Sequence, residues 1–322
     1  MLLRNYLFKV EGSVLLAILP QVTIATLYSV LIYYIHTYYH NISLKSNIIP
    51  SLATVVGLLL VFKTNSSYDR YYEGRKLWSS LKTNTRNLGR YLCIFLGKNE
   101  AKDIYTALNL ITAYCYSIRQ LLGNDFQCIT KSDPILTPLL PNDILLVDDE
   151  INNFNFEHNF DNMDLMNQHD LSNSDYYPIN LPNLILLKIN EILEKQKKAN
   201  KIDGQCNTMV STTLTNMTNI YSDMQRIAKT PLPIAYKLHL VQTQWFYLLF
   251  LPLTLLNDKS NMWVIFVQFV VAFTFFGINA IGDEIENPFG YDFNDLPLNS
   301  ICKEIHNELC HYFMVVKKAT VY

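Results

Sequence analysis

The chain has 322 residues, a formal net charge of -2 and only 17% charged residues, whereas soluble domains average about 25% charged residues. This composition favours a membrane protein. It excludes nucleic acid as the partner, because nucleic-acid binding depends on a surplus of Lys and Arg. The sequence contains no Ser-His-Asp arrangement and no glycine-rich phosphate loop, so we predict that the protein is not an enzyme.

Four stretches without Asp, Glu, Lys or Arg are apolar enough to cross a bilayer, which takes about 20 helical residues. They are Val14–Ile35, Ser46–Phe62, Leu238–Asn257 and Ser260–Gly282. Backbone amides inside hydrocarbon must be satisfied within their own segment, so each stretch is predicted to be a helix. The second stretch is short for a span and is the one expected to border water.

The positions of Lys and Arg predict the orientation of the spans, because cytosolic flanks are rich in both. The basic residues cluster at 4–9, 63–76 and 226–237, while the two short loops between spans hold one Lys each. Both termini and the middle of the chain are therefore predicted to be cytosolic, in the plasma membrane or an internal membrane. The predicted domains are 1–63 (N-terminal segment and two spans), 64–237 (cytosolic helical region), 238–282 (two spans) and 283–322 (acidic motif and C-terminal helix).

Two patterns describe the predicted cytosolic region. Apolar residues recur at three- and four-residue steps along one predicted helix face, at Val210, Leu214, Met217, Tyr221 and Met224, which indicates a buried face. Residues 132–183 are acidic and rich in Asn, and we predict a disordered insertion there.

Two segments carry a family resemblance. They are FKTNSSYDRYYEGRKLW at 62–78, after the second span, and IGDEIENPFGYDFNDLPLNSI at 281–301, after the fourth. Both resemble the bestrophin family, including its bacterial and fungal members, although Tyr71 and Tyr72 stand where the family usually has a Trp pair. The resemblance implies an all-α membrane protein with four transmembrane helices and a helical cytosolic bundle. It further implies a pentamer around a central pore that passes chloride or other small monovalent anions.

Pore residues follow from the resemblance and the helix period. Thr54, Leu58 and Phe62 are four residues apart, so they share one helix face. In the family the second span lines the pore, which implies stacked, mostly apolar collars, with Lys63 just beyond them raising the local anion concentration. Thr230 is the candidate for a second constriction. An apolar stripe of this spacing is also typical of ordinary helix packing, and that interpretation stays open.

Charged residues of alternating sign follow the second span, namely Asp69, Arg70, Glu73, Arg75 and Lys76. Charges of opposite sign three or four residues apart stabilise helices. We expect these residues to pair along and between helices rather than to contact ions.

A second candidate site follows the fourth span. Its oxygen-bearing side chains are Glu284, Asn287, Asp292 and Asp295. Hard oxygen ligands of this kind suit calcium, and the resemblance implies a regulatory calcium site, as in animal members of the family. The alternative is a helix end capped by Asn287, with Pro288 and Gly290 making a turn.

Two other functions remain open. One is a cation-conducting homologue, which acidic residues near the pore axis would favour. The other is a membrane-anchored scaffold whose acidic insertion recruits partners, which would show no current in reconstituted bilayers.

Overall fold

The computed structural model describes residues 12–39, 42, 44, 48–96, 101–123, 137–141, 180–200, 202–256 and 262–318. Most of the predicted insertion at 132–183 lies outside the described residues. All regular structure in the described ranges is helical, and the predicted all-α class is confirmed. Apart from a 3-10 turn at Thr137–Leu139, the elements are α1 (Leu15–Tyr38), α2 (Ile48–Phe95), α3 (Ala101–Leu122), α4 (Leu181–Lys198), α5 (Gly204–Lys229), α6 (Ile234–Leu255), α7 (Trp263–Glu284) and α8 (Leu298–Lys318).

Three of the described helices, α1, α2 and α7, are long and apolar enough to cross a membrane. The predicted third span corresponds to α6, which is not among them because His239, Gln242 and Gln244 make its first half more polar. The predicted count of four spans therefore stays a prediction.

Helix α2 runs without a break for 48 residues, which is about 70 Å at 1.5 Å per residue. No proline follows Pro50 in this helix, so no backbone amide is missing from its later hydrogen bonds. The predicted domain boundary between residues 63 and 64 lies inside this continuous helix. One helix face can consequently be followed from Thr54 well past Phe62.

The chain forms two compact units. The first comprises residues 1–76 and 226–296, and the second comprises residues 77–225 and 297–322. In the first unit α1 packs against α7 and α6, and α6 packs against α7. The side chains of its core are Ile18, Val22, Ala25, Ile49, Val56, Leu60, Leu240, Tyr247, Leu248, Leu251, Ala272 and Phe276.

Glutamine side chains join these helices inside the apolar core. The Gln268 amide donates to the carbonyl of Leu248 at 3.0 Å and to that of Ala25 at 3.5 Å. The Gln244 amide donates to the carbonyl of Phe275 at 3.5 Å. Such bonds hold membrane helices together where apolar packing offers little preference over lipid.

The second unit is built around α3, which packs against α4 and α8. This helix is buried on most sides, and the Tyr114 hydroxyl donates to the Met217 carbonyl of α5 at 2.9 Å. A helix that is apolar nearly all round is expected at the centre of a bundle. The predicted buried face of α5 is confirmed, because Val210, Leu214, Met217, Tyr221 and Met224 are each at most 4% exposed.

Candidate functional site

The predicted stripe on α2 is uncovered within the protomer. Leu58 is 54% exposed and Phe62 is 55% exposed. Thr54 is also exposed, and its hydroxyl donates to the carbonyl of Pro50 at 3.1 Å. On the other side of the same helix, Val56 and Leu60 are buried in the core of the first unit. The helix thus presents one face to its own subunit and leaves the predicted stripe free.

Lys63 does not lie on this stripe. Its side chain is 1% exposed, and its ammonium donates to Asp283 Oδ1 at 2.7 Å and to Asn279 Oδ1 at 2.9 Å, both on α7. One residue turns the helix by about 100°, which carries Lys63 from the exposed face of Phe62 toward the core. This corrects the expectation that Lys63 adds a free positive charge beside Phe62, because Asp283 neutralises it. Sequence reasoning missed the pair because the partners are 220 positions apart.

Arg70 fastens α2 to the end of α5. Its guanidinium donates to the carbonyls of Ile227 and Thr230, both at 2.6 Å, and to that of Glu286 at 3.1 Å. The last carbonyls of a helix lack partners within the helix and carry partial negative charge, so a guanidinium suits them. Beside it, Arg226 donates to Glu73 at 2.7 Å. The predicted pairing between helices is confirmed for Glu73.

Thr230 lies directly after α5 and is exposed. Its hydroxyl donates to the carbonyl of Arg226, so its side-chain proton is used at the helix end. The segment that follows is held by Glu286, a buried carboxylate that accepts from the Leu232 amide at 2.8 Å and forms an ion pair with the Lys237 ammonium at 2.5 Å. Glu286 was not singled out from the sequence, where its place in the run ENPFG was the only signal.

The loop after α7 gathers part of the second candidate site. The amide of Asp292 donates to Asp295 Oδ2 at 2.8 Å, and Glu284 Oε1 accepts from the Asn294 side chain at 3.2 Å. The same Asn294 side chain donates to the carbonyl of Gly12 at 3.0 Å. Asn287 Oδ1 accepts from the amide of Phe289 at 3.4 Å, which is the turn-forming role of the alternative interpretation. The turn contact of Asn287 is present, and calcium binding by this loop stays a prediction.

Asp295 is the electrostatically perturbed carboxylate of this loop. Burial first, and then the like charges of Asp292 and Glu284, raise its pKa to about 6. In the described ranges no three His, Cys, Asp or Glu side chains lie close enough together to hold a metal. The side chains of the loop supply hard oxygens, the ligand type that calcium takes, and the calcium site stays a prediction.

These features define a class before any comparison is made. The protein is an all-helical membrane protein in which one long membrane helix leaves a mostly apolar stripe uncovered and an acidic loop follows a second membrane helix.

Comparison with known proteins identifies the family. The model of the bacterial and fungal bestrophin proteins matches residues 2–311. A voltage-dependent anion channel-forming protein of Nostoc sp. is 32% identical over 311 residues, which cover 94% of this chain and 89% of the relative. A protein of the same name from Escherichia coli K12 is 27% identical over 305 residues, with 94% and 89% covered.

Solved structures agree with this result. A variant of a bacterial bestrophin homologue from Klebsiella pneumoniae superposes with a TM-score of 0.75 at 25% identity, and the match covers 94% of this chain and 99% of that one. The chain belongs to the bacterial and fungal bestrophin family, and the resemblance found in residues 62–78 and 281–301 is confirmed.

Proposed function

We propose that this protein is a subunit of a homopentameric ion channel that conducts small monovalent anions such as chloride, through a pore lined by α2. The names of the relatives support anion conduction. The observation that carries the proposal is the exposure of Thr54, Leu58 and Phe62 on one face of α2. A stripe that served only to pack within the subunit would be covered.

Five copies of this stripe would form three stacked collars, of which Leu58 and Phe62 make the two apolar ones. An apolar constriction restrains ions because the water in it is easily lost. The edge of a phenyl ring carries partial positive charge, so a collar of Phe62 edges would favour weakly hydrated anions. Since Lys63 is neutralised by Asp283, this preference would come from the collars rather than from Lys63.

The proposed topology has four membrane helices, α1, the first part of α2, α6 and α7, with both termini in the cytosol of a plasma or internal membrane. The basic flanks of the spans support it. In this topology Thr230 lies on the cytosolic side. Its place in a second constriction is part of the proposal, supported by its exposure and by the fixing of its carbonyl by Arg70.

Conductance of the purified protein in liposomes tests the pore assignment. Phe62→Ala removes a ring that is 55% exposed, and Phe246→Ala is the matched control because it removes a ring that is 59% exposed from α6. We expect altered gating or selectivity for Phe62→Ala and wild-type currents for Phe246→Ala. Wild-type currents in both variants would reject the pore assignment. Native mass spectrometry tests the pentamer.

A calcium site in the acidic loop is a second proposal, supported by the oxygen-bearing side chains that this loop holds, since Asp295 accepts from the Asp292 amide and Glu284 accepts from Asn294. The oxygens that would hold the ion belong to Glu284, Asn287, Asp292 and Asp295. Bound calcium would supply positive charge that joins these groups and orders the loop after α7. Isothermal titration with calcium should show heat for the wild type and none for Asp295→Asn, and equal heats would reject the site.

A further inference from the structure

The exposed face of α2 does not end at Phe62. Because the helix is unbroken and turns by about 100° per residue, Asp69 lies within about 20° of both Leu58 and Phe62 around the axis. Asn65, Asp69 and Tyr72 are all exposed. The stripe of the proposed pore therefore continues into a polar section that contains a carboxylate, about 10 Å beyond Phe62 along the helix axis.

Only three formally charged residues lie between Thr54 and Tyr72, namely Lys63, Asp69 and Arg70. Lys63 is buried against Asp283, and Arg70 is directed to the carbonyls of Ile227, Thr230 and Glu286. Both side chains are thus directed away from the exposed face.

Asp69 differs from these two residues. It forms no ion pair or hydrogen bond with any other residue in the part of the chain that the structure describes. The expectation that Asp69 pairs along or between helices is thus not met in these ranges. Along this section of the stripe, the charged side chain that is exposed without an ion pair or hydrogen bond in the described ranges is the Asp69 carboxylate.

We propose that Asp69 is a selectivity-determining residue of the conduction path, where five copies form a ring of carboxylates on the inner side of Phe62. This inference rests on the proposed function, since it needs α2 to line a shared pore. A ring of acidic side chains raises the local cation concentration and lowers that of anions. Asp69 therefore opposes the anion preference of the apolar collars and sets the balance between chloride and sodium permeability.

The size of the effect follows from distance and screening. Five carboxylates about 10 Å from the axis act through water, and physiological salt screens charges over about 8 Å. With this attenuation, the ring concentrates cations and depletes anions by about threefold each at most. Because the permeability ratio depends on both, removing the ring should raise the chloride-to-sodium ratio by up to about ninefold.

The test is the reversal potential of the purified full-length channel in planar bilayers under a sodium chloride gradient. Asp69→Asn should raise the chloride-to-sodium permeability ratio, Asp69→Lys should raise it further, and Asp69→Glu should leave it unchanged. Asp203→Asn is the control, because it makes the same change in net charge at an exposed position in the second unit. It should leave the ratio at the wild-type value.

The outcomes separate the two proposals. If the wild type carries no current, the proposed function fails. If the wild type conducts and both Asp69→Asn and Asp69→Lys keep the wild-type permeability ratio, the role of Asp69 is overturned while the channel proposal stands. Should the Asp69 variants not assemble, Asn65→Lys places a positive charge one turn earlier on the same face. It should also raise the ratio, and an unchanged ratio there would overturn the inference equally.

Discussion

The two partners of the ion pair between Lys63 and Asp283 differ strongly in burial, and this difference predicts unequal effects of removing each of them. The Lys63 side chain is 1% exposed, whereas the Asp283 side chain is 48% exposed. Asp283→Asn would leave a buried ammonium without its counter-charge. The introduced amide oxygen, the side-chain oxygen of Asn279 at 2.9 Å and its carbonyl at 3.4 Å could still accept from this ammonium, but none of them carries a negative charge.

Breaking a buried pair in this way costs about 3–5 kcal/mol, because an uncompensated charge stays in the interior. Lys63→Met leaves a carboxylate that water already reaches, and methionine fills much of the same volume. Its cost should be nearer to that of a surface pair, about 1 kcal/mol. At roughly 2–4 °C per kcal/mol for chains of this order of size, Asp283→Asn should lower Tm by about 6–20 °C, and Lys63→Met by about 2–4 °C.

The assay is thermal unfolding of the purified protein in detergent, followed by tryptophan fluorescence. Glu304→Gln is the control, since it removes a half-exposed partner of Lys82 in the second unit and should change Tm little. The double variant should be more stable than Asp283→Asn alone, because the second change removes the buried charge. A larger loss for Lys63→Met than for Asp283→Asn would refute the reasoning.

Three further predictions concern other contacts. Gly74→Ala should destabilise the protein by about 1–3 kcal/mol, measured as a lower Tm, since its Cβ would lie 2.9 Å from Pro288; an unchanged Tm would contradict this packing. Arg86 lowers the pKa of Glu308, so this pair should stabilise the fold above about pH 4.3 and lose that effect as pH falls through the lowered pKa. Between pH 5 and 3 the wild type should therefore lose more stability, measured as a fall in Tm, than Arg86→Gln. The difference in free energy of unfolding should be no more than about 1 kcal/mol because the pair is partly exposed. Burial raises the pKa of Asp295 to about 6, so its ionised form destabilises the calcium-free loop above that pH. Asp295→Asn should therefore raise Tm slightly at pH 7 without calcium, and it should abolish any rise in Tm on calcium addition. A fall in Tm at pH 7 without calcium would contradict the predicted direction.

Much of the helical architecture could be predicted from the sequence. Long uncharged stretches coincide with α1 and α7, because the bilayer imposes both length and composition. The face of α5 from Val210 to Met224 could be found from its period alone. The exposed stripe could also be predicted, because a helix fixes which residues share a face. Only the family resemblance suggested what this stripe faces.

The contacts of Lys63 and Glu286 could not be predicted. Lys and Glu are usually exposed, so nothing in the local sequence marks these two as buried at 1% and 4% exposure. Their partners are distant along the chain, and only the packing of α7 against the rest of the first unit brings Asp283 to Lys63. The unbroken course of α2 was likewise missed, because the change from apolar to charged residues at Lys63 resembles the end of a membrane segment.

The length of α2 has a mechanical consequence. An uninterrupted helix without a proline beyond its first turn bends little, so it tilts as a rigid rod. A tilt of about 5° that pivots at Lys76 would move Phe62 sideways by about 2 Å, given a rise of 1.5 Å for each residue between them. In the proposed pentamer, so small a rotation of every subunit would change the pore diameter at the Phe62 rings by about 4 Å, more than the diameter of a water molecule.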